Sequence, residues 1–282
     1  MQSFAVDCLN SKAIFMQAPV LVGIPLDVNS SYLRGPADAP AKIREALAND
    51  ASNQWSELGV SIEAAFEDLG NLTLGNTQES VDEDFRQLSA SVNDLLVKGK
   101  IPLSLGGDHS ITYPIIRAFK SHFPDLTIIH FDAHPDLYNE FEGSRLSHAC
   151  PFARIMEERL AKRLVQIGIR TLNDHQYKQA EKFGVEIVPM AALPAYSFIK
   201  DPGPIYVSFD MDVLDPAFAP GVSHWEPGGM SVREAISHLH AINGKIVGAD
   251  VVELNPTRDP LGISAAVAAK VVKEILGKIL KN

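Results

Sequence analysis

Short apolar runs alternate along this chain with longer segments whose apolar residues recur every three or four positions. The runs predict strands at residues 20–24, 64–67, 101–105, 127–131, 164–168, 185–188, 205–209 and 246–252. The periodic segments predict helices at about 36–48, 81–98, 111–121, 152–162, 174–183, 231–241 and 264–281. In the second helix Val81, Phe85, Leu88, Val92 and Leu95 form one stripe, the pattern of a helix with a single face toward the core. Most strand runs are apolar at successive positions instead of alternating, as expected where helices cover both faces of a sheet.

This alternation predicts an α/β fold: a three-layer α/β/α sandwich around a mostly parallel eight-stranded sheet, because helical crossovers join parallel neighbours naturally. Eight strands also admit a TIM barrel, but the Gly-rich intervals of the first third and the weak strand near Ala64 fit a barrel less well. Open parallel sheets collect ligands beyond the C-terminal ends of their strands. Three polar strings fall there: Gly106-Gly107-Asp108-His109, DAHPD at 132–136, and Asp210-Met211-Asp212.

With 282 residues, 46% of them hydrophobic, the chain buries roughly 70–75% of the surface its unfolded form exposes. No Ser/Gly/Pro linker divides it, so one domain over residues 1–282 is expected. The formal charge of -10, from 25 basic and 35 acidic side chains, opposes binding to nucleic acid or acidic membranes and favours a cationic substrate. No apolar stretch approaches membrane-spanning length, and the segment MQSFAVDCLNSK lacks a basic region followed by a signal-like apolar run. A cytoplasmic protein without nucleic-acid or membrane partners is the resulting expectation. Cys8 and Cys150 lack any metal or redox spacing and are read as reduced thiols.

The polar strings carry the chemistry. Asp132 offers two oxygens to bridge two ions, His134 an imidazole nitrogen and Asp136 a terminal carboxylate. Asp210 and Asp212 add a second bridging and a second terminal carboxylate, and His109 a second imidazole. Taken alone, an Asp after a strand is more often a turn or helix cap. Three such strings after three strands point jointly to divalent metal, and the oxygen and imidazole donors suit manganese better than thiolate-bound zinc. Two ions lower the pKa of a shared water and orient its oxygen, so the nucleophile comes from solvent. No GxSxG elbow and no GxxxxGK[ST] loop compete with that reading.

GGDHS at 106–110, DAHPD, SFDMDVLDPAFAPG at 208–221, EPGGMSVRE at 226–234 and GADVVELNP at 248–256 together resemble the ureohydrolase family of arginases and agmatinases. The resemblance spans most of the chain. Its loops at 138–143, 147–149 and 221–229 look like those of plant-type arginases and agmatinase-like relatives. It implies an arginase-like fold, homotrimers or homohexamers, and two Mn2+ ions per subunit, with Co2+, Ni2+ or Fe2+ as alternatives the donors accept. By that resemblance His109, Asp132, Asp136 and Asp210 hold one ion, and Asp132, His134, Asp210 and Asp212 the other. Hydroxide then attacks the guanidinium carbon, and the tetrahedral intermediate collapses to urea and an amine. The family pattern makes Asp136 a proton acceptor, His148 a proton carrier that also reaches the substrate, and Glu253 the carboxylate that orients the guanidinium.

Other residues stay open at this level. A Cys150 thiolate activated by His148 is a rival nucleophile, although the metal cluster makes it unnecessary and packing is the preferred role. His130 is either a hydrogen-bond partner of a metal ligand or a satisfied core histidine. His224 and Trp225 are candidates for the pocket rim. Animal arginases carry Asn where this chain has Tyr138, and an Asp after a segment that reads Ile-Gly-Ile-Arg-Thr-Leu-Asn173 here, so Tyr138 and Asn173 become candidate substrate contacts. Arg145 is a candidate partner for a substrate carboxylate. The expected reaction is L-arginine to L-ornithine and urea, with agmatine to putrescine and urea the alternative. Other guanidino or formimino compounds, and a nonenzymatic metal-binding protein, are the remaining readings.

Overall fold

In the computed structural model, which describes residues 18–195 and 200–281, the strands are β1 (Pro19–Gly23), β2 (Glu67–Asn71), β3 (Ile101–Leu105), β4 (Thr127–Phe131), β5 (Arg163–Ile169), β6 (Glu186–Pro189), β7 (Lys200–Asp210) and β8 (Asn243–Val252). They form one sheet in the order β2-β1-β3-β8-β7-β4-β5-β6, and every neighbouring pair is parallel. With β2 and β6 at its two edges the sheet is open, which removes the barrel. The helices are α1 (Ala39–Leu47), α2 (Val81–Val97), α3 (Thr112–Phe119), α4 (Pro151–Glu157), α5 (Asp174–Phe183), α6 (Val232–Ala241) and α7 (Ile263–Lys281).

Successive strand residues feed opposite cores. Ile129 and Phe131 of β4 pack into the layer shared with α1, α6 and α7, where Ile43, Leu239, Val272 and Leu276 are buried. Ile128 packs into the layer built by α2, α3, α4 and α5, among Leu88, Ile115, Phe152 and Ala180. Both faces being covered explains why the central strands are apolar at nearly every position. Among the described residues no helix is long and apolar enough to cross a membrane. Cys8 lies outside the described residues.

β7 begins at Lys200 instead of 205 and β8 at Asn243 instead of 246, and two further elements depart from the pattern reading for a visible reason. The second strand begins at Glu67 instead of 64, because Ala64 adopts a left-handed φ of 52° that breaks extension. Its sequence EDLGN is exposed throughout, and it is held as an edge by pairing with β1 and by Arg44, whose Nε lies 2.7 Å from Asp68. Helix α4 stops at Glu157, short of the expected 162, and Arg159 behind it has a left-handed φ of 54°.

Strand order decides where the polar strings go. β3, β8, β7 and β4 are adjacent in the middle of the sheet, and the register aligns Leu105 and Phe209 with Val251, and Phe131 with Phe209. The residues that follow these levels therefore emerge side by side, about 4.8 Å apart per strand. At the end of β3, Gly106 donates to the Val251 carbonyl at 2.7 Å, Asp108 donates to the Leu26 carbonyl at 2.8 Å, and the Gly107 carbonyl accepts from Glu253 at 3.0 Å. A Cβ on Gly107 would lie 1.9 Å from the Leu26 carbonyl oxygen, so only glycine permits this approach. Gly107→Ala is expected to destabilise the fold by about 3 kcal/mol through overpacking, measured by urea denaturation, and to weaken metal uptake by separating His109 from Glu253.

Candidate metal centre and substrate cavity

Two groups of donor atoms lie at this edge and share Asp132: His109, His130 and Asp132, and Asp132, His134 and Asp212. Asp132 turns its two oxygens to different histidines. Oδ2 is 3.1 Å from His109 Nδ1, and Oδ1 is 3.4 Å from His134 Nδ1. His109 Nδ1 also lies 3.1 Å from Asp136 Oδ2 and 3.0 Å from Asp210 Oδ2, while His134 Nδ1 lies 2.9 Å from Asp212 Oδ2. Local turns fix the carboxylates. Asp210 caps the short 3-10 turn Met211–Val213 by accepting from the Asp212 amide at 2.8 Å, and Asp212 Oδ1 accepts from the Ala133 amide at 3.1 Å.

The fit of this cluster to a cation rests on His109. Its Nε2 lies 3.0 Å from Ser208 Oγ, which donates to Asp250 Oδ1 at 2.7 Å. Asp250 further accepts from Thr112 Oγ1 at 2.8 Å and from the Tyr206 hydroxyl at 2.7 Å. Because the Ser208 proton goes to Asp250, Ser208 Oγ is left as acceptor, so His109 carries a hydrogen on Nε2 and turns Nδ1 to the carboxylates. Burial opposes charge on this ring, but Asp132, Asp136 and Asp210 outweigh it and raise its pKa well above the usual value, so Nδ1 takes up a proton or, in its place, a metal ion. That buried Nδ1 has no hydrogen-bond partner despite the three carboxylate oxygens around it. A lone pair facing three anionic oxygens is repulsive until a cation stands between them, and the donor set suits a hard or borderline divalent ion.

Electrostatics leads to the same place. Asp132, Asp136, Asp210 and Asp212 are each at most 7% exposed. Burial, then repulsion from Asp212 and Asp132, pushes Asp210 well above the usual carboxylate range. Burial and the Asp132 charge push Asp136 up to about 6, and burial raises Asp212. Asp132 is held well below the usual range: burial works against its charge, but His130, His109 and His134 surround it.

A cavity of about 170 Å³ opens onto the cluster, lined in part by Asp136, His148, Asp210, Asp212, His224 and Glu253. A larger groove of about 580 Å³ beside α1 and α7 contains none of these groups. Glu253 and Asp136 stand on left-handed backbone, with φ of 63° and 48°, a strain found at sites where one side chain must be aimed. Glu253 Oε1 accepts from the His109 amide at 2.9 Å and lies 2.8 Å from His148 Nδ1. On its other side His148 Nε2 meets Ser31, with Oγ at 2.8 Å and the amide at 3.2 Å. Burial disfavours a charged His148, but Glu253, Asp108 and Asp136 outweigh it and raise its pKa to about 9. The Ser31 amide suits only neutral Nε2, whereas the closer hydroxyl accepts from Nε2–H as readily as it donates to a lone pair. His148 thus has a partner in either protonation state.

Of the other candidates, Tyr138 lines the cavity, its hydroxyl bonded at 2.5 Å to Asn173 Nδ2 and its ring stacked on His175. Asn173 caps α5 and reaches the cavity through Tyr138. Arg145 is not brought to the cavity: it pairs with Glu157 at 2.6 Å and with Asn139 Oδ1 at 3.0 Å. His224 lies on the rim, 5.4 Å between ring centroids from His148, and Trp225 points away under Arg258 at 3.9 Å. Cys150 is buried and its thiol pushed up to about 12 by burial and then by Asp136, so it is no nucleophile at neutral pH. Ser31, Thr171, Phe141 and Gln176 also line the cavity and were not singled out by the sequence reading. The signal for Ser31 was the Asn29-Ser30-Ser31 string after β1, whose Asn29 and Ser30 bind Asp108 beside His109.

A model of the arginase family matches residues 17–277. The Arabidopsis thaliana protein "Arginase 1, mitochondrial" is 44% identical over 276 residues, covering 93% of this chain and 81% of the relative. An agmatinase of Bacillus anthracis is 34% identical, covering 91% and 90%. Among solved structures, arginase from Medicago truncatula superposes with a TM-score of 0.86 at 41% identity, covering 93% of this chain and 87% of that one. The mitochondrial naming of the Arabidopsis relative overturns the cytoplasmic expectation. That expectation tested only for a secretory apolar run and membrane spans, features that mitochondrial addresses do not use. If the carboxylate cluster holds divalent ions, Mn2+ at 1,000 times its dissociation constant stabilises the metal-free protein by about 4 kcal/mol per site; a thermal melt with and without Mn2+ measures it.

Proposed function

Since the chain belongs to the arginase family and is a metal-dependent amidinohydrolase acting on guanidino groups, we propose that it hydrolyses L-arginine to L-ornithine and urea at a centre for two Mn2+ ions. The observation that carries this reading is the orientation of Asp132, one oxygen toward His109 and the other toward His134. In the proposed assignment His109, Asp132, Asp136 and Asp210 hold one ion, and Asp132, His134, Asp210 and Asp212 the other. When bound, the two ions supply a solvent nucleophile that is active at neutral pH.

The chain's own groups do the rest. Glu253, fixed by His148 and the His109 amide, presents a carboxylate to the guanidinium and holds its carbon against the cluster. Asp136, which lines the cavity beside Asp210, takes the proton released when the new C–O bond forms. Asp136 delivers that proton to the alkyl-bearing nitrogen as its bond to the carbon breaks, which returns Asp136 to a carboxylate and releases urea and the amine. His148, with a partner for either protonation state, carries the proton lost by the next water to the amine or to solvent, which resets the site.

Arginine is favoured by the 44% identity to the Arabidopsis arginase against 34% to the Bacillus agmatinase. One observation favours agmatine: among the described residues no Arg or Lys lines the cavity, and Arg145 is occupied elsewhere. An arginine carboxylate would be met by the neutral groups of Thr171 and of the Tyr138–Asn173 pair. We further assign residues 1–282 to one catalytic domain that assembles as a homotrimer or homohexamer, which sedimentation in solution tests.

Urea release from arginine, agmatine and shorter guanidino acids by Mn2+-loaded protein separates the readings. The highest kcat/KM is expected for arginine, and a preference for agmatine would overturn the substrate while leaving the metal assignment in place. Asp132→Ala is expected to abolish metal-dependent urea release; full activity in that variant would sink the two-ion reading. His148→Ala should lower kcat by about 10²–10⁴ and also raise KM, since it removes the group that braces Glu253.

A further inference from the structure

His130 and His109 are buried neighbours, 4.9 Å apart between ring centroids, and both approach Asp132 Oδ2. By distance alone each is a candidate ligand of the same ion. Their hydrogen-bond partners separate them. His130 stands two residues before Asp132 on β4, on the same side of the strand, with Nε2 2.8 Å from Asp132 Oδ2. Its Nδ1 lies 3.0 Å from Gln166 Nε2, across the register pair that joins β4 to β5.

The orientation of the Gln166 amide settles which nitrogen of His130 carries the proton. Gln166 Nε2 is also 2.6 Å from the Pro135 carbonyl oxygen, which only accepts. Turning the amide over would set two acceptor oxygens against each other at that distance, so the NH2 faces Pro135 even though Oε1 is left without a partner. The second N–H of that NH2 faces His130 Nδ1, which must present its lone pair. The hydrogen of the ring is then on Nε2, pointing at Asp132. Phe152, stacked on the ring at 3.9 Å, holds its plane. His109 carries its hydrogen on Nε2 as well, but that N–H is spent on Ser208 and it is Nδ1 that is turned to the carboxylates.

We propose that His130 is a positioning residue and not a ligand: it donates from Nε2 to Asp132 and holds that carboxylate in the orientation that spans the two ions. The control is a closed ring, because the loop that carries Asp132 also supplies Pro135, whose carbonyl orients Gln166, which sets the tautomer of His130, which returns to Asp132. Without this donor Asp132 keeps the His134 amide on Oδ1, at 2.5 Å, but Oδ2 loses the N–H that orients it and the two-ion geometry loosens. The inference rests on the two-ion reading above.

Calorimetric titration of the metal-free protein with Mn2+ tests both separately. Wild type taking up fewer than two ions would defeat the two-ion reading and this inference with it. Given two ions in wild type, His130→Phe, which cannot donate, is expected to bind Mn2+ about 10–100-fold more weakly while still taking up two ions at saturation. His130→Gln, whose amide N–H can donate, should recover part of that loss. Unchanged affinity in His130→Phe would overturn the inference alone, and so would a capacity reduced to one ion in both variants, the behaviour of a lost ligand. If His130→Phe does not fold, 15N-histidine NMR of the metal-free wild type decides instead: His130 is expected protonated at Nε2, and a proton on Nδ1 with a bare Nε2 overturns the assignment.

Discussion

Four carboxylates buried together at one edge of the sheet are the constraint on which the rest of this molecule turns. Asp132, Asp136, Asp210 and Asp212 repel one another in a setting where water cannot screen them, and burial with mutual repulsion raises Asp210 and Asp136 above the usual carboxylate range. Such a cluster is tolerable only where positive charge is delivered among the oxygens. The polar surroundings are arranged for that. His109 is locked by Ser208 and Asp250 so that its Nδ1 faces the carboxylates, and backbone amides of Ala133 and Asp212 hold two of the carboxylates in place.

The sheet makes the clustering possible because four adjacent central strands end at one level. β3 delivers His109, β4 the DAHPD loop, β7 Asp210 and Asp212, and β8 Glu253. Their interiors are rigid, fully covered strands, so the loops they carry start from well-determined positions. Around this edge a second set of contacts serves the cavity: Asn29 and Ser30 bind Asp108, which places Ser31 against His148, and His148 in turn braces Glu253. Arg170, donating to the carbonyls of Asp212, Val213 and Glu226, ties the loop bearing His224 to the metal edge.

Much of this was legible from local pattern. Strands at 101–105 and 127–131 and the helix at 174–183 coincide with the observed bounds, because runs of buried apolar residues or a capped amphipathic stretch carry their own signal. β2 was not, since its residues EDLGN are polar and exposed and become a strand only by pairing with β1. The end of α4 depended on a left-handed residue at Arg159, a backbone state that no side-chain pattern announces. Likewise Arg145, a cation in a loop beside the proposed site, was free in sequence to meet a substrate carboxylate, and folding gave it to Glu157.

By itself the sequence determined the chemistry available: oxygen and imidazole donors after three strands, no serine or phosphate-loop machinery, and motifs specific enough to name the family. Those properties are local, carried by residue type and short spacing. Only the tertiary structure decided which donor atoms come together and which nitrogen of each histidine faces them. His109 and His130 both follow or occupy strands near acidic residues, yet their roles diverge through Ser208 and Gln166, partners 99 and 36 residues away. Hydrogen-bond direction at a buried nitrogen depends on those distant neighbours, and strand order brings them together.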